Sequence, residues 1–224
     1  MQTRHPYNAA MQHALRHQCL IYTGAPSKHL PALAATMRDK LQQNYRCLYL
    51  NSPAMVAGLR SYLAAAGVDV AQEVARTRLI LSADQTHLID GRFDIDRMLR
   101  TLESLVNNSL RDRHAGLWAV GDMTWELGAE RDPATLLEYE WRLEKIFRRC
   151  PELSGICQYH ADTLPRSLLR HSLLVHPSIF VNETLSLVNP HYLPSEARAP
   201  EPNHDDHLDA VVTNLCESGE IGQA

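Results

Sequence analysis

Short apolar runs of β type alternate along this chain with stretches whose apolar residues recur every three or four positions. That alternation constrains the fold more than any other feature. Parallel strands need a long crossover, usually a helix, so strand–helix alternation predicts βαβ units and a largely parallel sheet. The strand-like runs are Cys19-Leu20-Ile21-Tyr22, Cys47-Leu48-Tyr49-Leu50, Leu79-Ile80-Leu81, Leu117-Trp118-Ala119-Val120, Ile156-Cys157-Gln158-Tyr159 and Ile179-Phe180-Val181. The run at 117–120 is continuously apolar, which marks a central strand covered on both faces.

Between the runs lie helical patterns with start signals. Leu30, Leu33, Ala34, Met37 and Leu41 share one helical face. Ser52 before Pro53 predicts a capped start, with Met55, Leu59, Tyr62, Leu63 and Ala66 inward and Gly67 as the stop. Asp94 caps a helix carrying Ile95, Met98, Leu99, Leu102, Leu105 and Val106 inward. Asp132-Pro133 opens another, with Leu136, Leu137, Leu143 and Phe147 facing in, and a further helix follows Pro165. The expected fold class is α/β, a doubly wound, mainly parallel sheet with helices on both faces. From about Pro190 the chain turns polar and proline-rich. Residues 190–207 read as linker, and 208–224 as at most a short docking helix.

Composition excludes several function classes. Hydrophobic residues make up 45% and charged residues 21% of the 224, which is ordinary for a globular protein. The net charge is −4 with no block of Lys or Arg, so direct nucleic-acid binding is not expected. No apolar run approaches the ~20 residues that span a bilayer, and residues 1–13 lack the apolar segment of a secretion signal. Five cysteines, an odd number without a C-x-x-C pair, include three inside apolar runs (Cys19, Cys47 and Cys157), where reduced cysteine acts as a small hydrophobe. A reducing, cytoplasmic setting is the expectation, with no membrane contact.

Ligands of open parallel sheets bind beyond the carboxyl ends of the strands. Those ends carry Tyr22, Thr23, Asn51, Ser52, Asp84, Asp122, Trp125, Gln158, Tyr159 and His160. Polar and aromatic groups gathered at one edge suit a small ligand of mixed polarity. The first turn, Gly24-Ala25-Pro26-Ser27-Lys28-His29, has the position of a phosphate loop but not its chemistry. A working loop, G-x-x-x-x-G-K-[ST], wraps phosphates with consecutive backbone N–H groups. Here the second glycine is absent, Pro26 removes a donor, and His29 replaces the Mg²⁺-binding hydroxyl. The apolar strand at 117–120 also runs out at Gly121, ahead of the Asp122 that would anchor Mg²⁺. ATP hydrolysis is not expected, and neither is a nucleotide cofactor.

Six segments occur in a telling order: His17-Gln18-Cys19-Leu20-Ile21-Tyr22, Gly91-Arg92-Phe93-Asp94, Gly121-Asp122-Met123-Thr124-Trp125, Leu137-Glu138-Tyr139-Glu140 with Leu143, Cys157-Gln158-Tyr159, and His176-Pro177. Together they resemble the MEDS family, the methanogen/methylotroph sensory domain named from a dichloromethane-responsive repressor. The likeness covers about residues 14–193, leaving 1–13 as an extension and 194–224 as a polar linker or tail. It implies a RecA-like fold with a degenerate phosphate loop and a sensory input role. It also implies a small hydrocarbon derivative as ligand, and a kinase, anti-sigma factor or transcription factor as partner. The chain departs from the family where Asp122 stands in place of the usual Glu.

The candidate ligand-binding residues are therefore Tyr22, Thr23, Asn51, Arg92, Asp122, Trp125, Glu140, Gln158 and Tyr159, with no catalytic residue. Glu140 falls on the buried face of its helix. A carboxylate there needs a partner, so it either orients Arg92, closes the pocket beside Asp122, or ion-pairs with a neighbouring helix. His13, His17 and Cys19 invite a metal reading, but no fourth ligand is evident and no metal is expected. Two rival functions remain: a ligand-free scaffold for protein–protein contact, including self-association, and a residual nucleotide-binding enzyme.

Overall fold

The apolar runs become the inner strands of one sheet because both of their faces are covered. Cys19, Leu20, Cys47, Leu48, Leu117, Trp118 and Ile156 are all buried. A computed structural model describes residues 15–126, 132–193 and 204–221. In chain order the elements are β1 (His17–Tyr22), a 3₁₀ turn (Pro26–His29), α1 (Leu30–Gln42), β2 (Tyr45–Leu50), α2 (Pro53–Ala65), α3 (Val70–Ala75) and β3 (Leu79–Ser82). There follow β4 (Leu88–Ile89), β5 (Arg92–Phe93), α4 (Ile95–Arg111), β6 (Gly116–Asp122), α5 (Met123–Glu126) and α6 (Pro133–Arg149). The remainder is β7 (Leu153–His160), α7 (Arg166–Val175), β8 (Ser178–Asn182), β9 (Leu185–Val188) and α8 (His204–Ile221).

Seven strands form the main sheet in the order β3-β2-β6-β7-β1-β8-β9, and β4 pairs with β5 in a separate hairpin. All neighbours in the main sheet are parallel except β8 and β9. The start signals work as expected. Ser52 accepts from the Met55 N–H, Asp94 from that of Arg97, and Asp132 from those of Ala134 and Thr135. Each such cap contributes about 1 kcal/mol.

The pleat splits the core in two. Leu20, Tyr22, Cys47, Tyr49, Trp118, Val120 and Ile156 pack against α1 and α2. Cys19, Ile21, Leu48, Leu117, Cys157 and Tyr159 pack against α4, α6, α7 and α8 on the other side. Successive residues of a strand face opposite ways, so Gln158 and Tyr159 belong to different layers.

Three features differ from the sequence-based expectations. Tyr62, expected inward, is 42% exposed, because α2 buries only Leu59 and Leu63. Strand β9 closes the sheet as an antiparallel edge that the sequence pattern does not announce. In the tail, residues 204–207, expected as linker, open a helix that runs on through the stretch expected as at most a short docking helix. Residues 204–221 form α8, whose Leu208 and Val212 are fully buried against the core, while Arg170 of α7 pairs with Asp209 at 2.8 Å. Burying two such apolar side chains contributes about 1.5–3 kcal/mol each, enough to hold a helix whose polar composition hides its docking stripe. Residues 194–203 and His13 lie outside the described residues. No helix among the described residues is long and apolar enough to cross a membrane.

Candidate functional site

Parallel pairing is nearly flush at the carboxyl ends: Tyr22 pairs with His160, Asp122 with Gln158, and Leu50 with Gly121. Helices α1 and α2, which follow β1 and β2, cover one face of the sheet; α6 and α7, which follow β6 and β7, cover the other. The winding direction therefore changes between β2 and β6 and again between β7 and β1. Crevices at strand tips open at such changes.

At the β2/β6 change, Asn51 donates from Nδ2 to Asp122 Oδ2 at 3.4 Å and to the Tyr49 hydroxyl at 3.1 Å. Asp122 Oδ1 accepts from the Thr124 N–H at 2.9 Å. Tyr49, Asn51, Asp122 and Gln158 are all buried. They form a polar network beneath the rim, not a wall open to solvent. Gln158 Nε2 is left without a hydrogen-bond partner.

At the β7/β1 change the rim is open. Tyr22 is held between His160, stacked at 5.0 Å between ring centroids, and His29, tilted at 4.7 Å. Its hydroxyl is buried without a partner. Burial, with Asp122 nearby, pushes the Tyr22 phenol well up, so it stays protonated. Burial, reinforced by Lys28 and His160, lowers the His29 imidazole. Tyr22 and Thr23 line a cleft of about 470 Å³, together with Lys28, His29, Leu187 and Cys216. Its walls are thus the turn after β1, the β8–β9 edge and the docked α8. Leu185 and Leu187 offer it exposed apolar surface.

The turn that stands in for a phosphate loop uses its own donors. Gly24, at φ +73°, gives its N–H to the Asp162 carboxylate at 2.8 Å, and Lys28 gives its N–H to Ala25 O at 3.0 Å. Pro26 has none to give. A carboxylate beside this turn also repels a phosphate.

On the far face of the sheet sits a second polar cluster. Glu140 of α6 accepts a 2.5 Å hydrogen bond from the Tyr159 hydroxyl through Oε1, while Oε2 lies 3.6 Å from His176 Nε2. One turn along α6, Glu144 Oε2 is 2.7 Å from His17 Nδ1, and its Oε1 accepts from the Tyr192 hydroxyl. His17 stacks on Phe147 at 4.0 Å, and its Nε2 is 3.6 Å from Cys157 Sγ. Burial, with Glu144 adding repulsion and the Tyr159 bond opposing, pushes the Glu140 carboxyl up to about 8. Burial, with His17 nearby, holds His176 well below its usual value.

The nine residues expected to bind a ligand therefore fall into separate places. Tyr22 and Thr23 line the cleft, and Asn51, Asp122 and Gln158 lie in the network below the rim. Glu140 and Tyr159 bond to each other on the opposite face. Arg92 lines a separate hollow at the β4–β5 hairpin with Ile89, Asp90, Phe93 and Asp94. Trp125 lies on α5, its side chain outside the described residues. Sequence reasoning missed the contributions of Glu144, His176 and α8. The signal available for Glu144 was its place four residues after Glu140, on the same apolar face.

The family model described as MEDS, the MEthanogen/methylotroph, DcmR Sensory domain, matches residues 16–177. No match was found among curated proteins. Among solved structures the chain is similar to a KaiC-like protein from the hyperthermophilic archaeon Pyrococcus horikoshii OT3. The two share 15% identity over 73% of this chain and 69% of that one, with a TM-score of 0.49.

Proposed function

The chain belongs to the MEDS family of sensory domains, and from that premise we propose that it is an input domain which takes a small hydrocarbon derivative into the cleft at the tips of β1 and β8. One observation carries this reading. The cleft of about 470 Å³ joins apolar walls from Leu185, Leu187 and Leu215 to the polar groups of Tyr22, Thr23, Lys28 and Asn182. Roughly 300–1,000 Å³ with few polar groups among apolar ones is the usual character of a small-molecule site. The unpartnered Tyr22 hydroxyl is a ready hydrogen-bonding group for a ligand's polar end.

Relay follows from α8. Its Leu215 and Cys216 line the cleft while Leu208 and Val212 anchor it to the core. A ligand that fits better with α8 in one position shifts the population toward that position. A regulatory protein (a kinase, an anti-sigma factor or a transcription factor) would read the exposed side of the helix. The domain acts by binding and not by catalysis. The turn's committed N–H donors and the Asp162 carboxylate at Gly24 support the loss of nucleotide hydrolysis.

A thermal-shift screen of the full chain against short halocarbons, alcohols and amines tests the reading. Compounds that raise the melting temperature are expected, and Leu187→Glu, which places a charge in the cleft from an exposed position, should abolish the shift. Stabilisation that survives Leu187→Glu unchanged would place the ligand elsewhere.

A further inference from the structure

We propose that His17, Glu140, Cys157 and His176 form a closed zinc site inside the domain, on the opposite face of the sheet from the cleft. Each residue supplies one donor atom, all four donors lie within 4.8 Å of one another, and all four residues are buried. A tetrahedral zinc with bonds of 2.0–2.3 Å separates its donors by about 3.3–3.7 Å. Cys157 Sγ and His17 Nε2 are 3.6 Å apart, as are His176 Nε2 and Glu140 Oε2. At 3.6 Å the second pair is too far apart for a hydrogen bond.

The surroundings orient the donors. Zinc-bound histidines characteristically give their other ring N–H to a carboxylate or a backbone carbonyl. His17 Nδ1 faces Glu144 Oε2 at 2.7 Å, and His176 Nδ1 faces Ser172 O at 2.7 Å. Both contacts place the proton on Nδ1 and the lone pair of Nε2 toward the centre of the cluster. Glu140 is oriented in the same way, since Tyr159 holds Oε1 and leaves Oε2 pointing at His176. Glu140 Oε2 and His176 Nε2 are buried with no hydrogen-bond partner. With Glu140 ionised, as a metal ligand must be, two lone-pair donors facing each other with no cation between them are costly in a core. A divalent cation meets both, and one thiolate with one carboxylate balances its charge. Sulfur, two imidazoles and one carboxylate are a donor set that suits zinc. Four protein ligands leave no open position, so the site is structural, and the metal joins as the chain folds.

The test uses the full chain, first as purified after passage over a chelating resin and then refolded with cobalt(II) as the probe. Elemental analysis should find about one zinc per chain, the content of a four-ligand protein site. The cobalt form should show an intense near-ultraviolet thiolate-to-cobalt band. Cys157→Ser removes that band, whereas Cys47→Ser, on the other face of the sheet, keeps it. Glu144→Gln keeps the band and weakens metal affinity roughly 10- to 100-fold, as loss of an orienting carboxylate does. Should Cys157→Ser fail to fold, the wild-type cobalt spectrum decides alone. A folded wild-type chain without zinc that yields no thiolate band on refolding with cobalt overturns the proposal. A band that survives Cys157→Ser, or vanishes in Cys47→Ser, overturns it as well.

Discussion

The two faces of the sheet treat polar groups in opposite ways. On the side of α6 and α7, His17, Glu140, Glu144, Tyr159 and His176 hold one another in a sealed interior, with the half-buried Tyr192 bonded to Glu144 at its edge. At the rim beside β1, Tyr22 is clasped by two imidazoles but its hydroxyl has no partner, and the cleft next to it opens between segments of different kinds. The difference separates two tasks. A sealed cluster in which each member orients the next cannot adapt without unfolding, so it fixes the fold. A rim whose walls come from a turn, an edge strand and a docked helix can change width at low cost, as a sensing site requires.

Substitutions should expose that contrast, beginning with the sealed cluster. Glu144→Ala leaves His17 Nδ1 and the Tyr192 hydroxyl facing an empty space, and should lower stability by about 3–5 kcal/mol in chemical denaturation, the loss typical when one partner of a buried pair is removed. A loss under about 1 kcal/mol would mean the cluster is not the rigid half. Next comes the anchor of the adaptable half. Leu208→Ala should cost about 2–3 kcal/mol, and hydrogen exchange should show α8 opening ahead of the sheet. Simultaneous exchange of α8 and the central strands would contradict an independently yielding wall.

The third effect depends on pH. Burial lowers the His171 imidazole to about 4, below its usual 6.5. Because the unfolded chain takes up that proton first, the contribution of neutral His171 is complete above about pH 6.5 and is lost as pH falls from there toward 4. The drop is on the order of 1–3 kcal/mol, and His171→Leu should flatten it when the two pH profiles are compared. Identical profiles would remove His171 from the account. The smallest effect belongs to the rim. Lys28→Ala should stay within about 0.5 kcal/mol of the wild type, and ATP turnover should be at background in both proteins. Turnover that disappears in the variant would restore the nucleotide reading.

Strands β1, β2, β3, β6, β7 and β8 were legible because each is a short apolar run bounded by turns or caps, and Asp94, Asp132 and Ser52 cap as their spacing predicts. The doubly wound α/β arrangement follows from that alternation. The tail was less legible. Leu208 and Val212 form the docking stripe of the short helix expected over 208–224, but the helix begins at His204, in acidic residues that read as linker until the core it covers is seen. The site was legible only in part. Tyr22, Thr23, Asn51, Asp122 and Gln158 share one tip of the sheet as position along the strands predicts. Glu140 and Tyr159 were assigned to the same tip, yet the two-residue period sends Tyr159 through to the other face, where Glu140 waits on α6. Each of His17, Glu140, Cys157 and His176 falls in a segment that carries the family likeness. Their convergence depends on register between β1 and β7 and on the seating of two helices, which no local pattern records.

Hydrogen–deuterium exchange on the full chain, with and without a compound that raises its melting temperature, tests the central claim most directly. If the cleft receives the ligand, protection will rise in the turn at 22–29, along β8 and β9, and in α8, while the strands beside Glu140 and His176 exchange as before. Protection confined to the β4–β5 hairpin, or spread evenly over the molecule with none concentrated around the cleft, would contradict it.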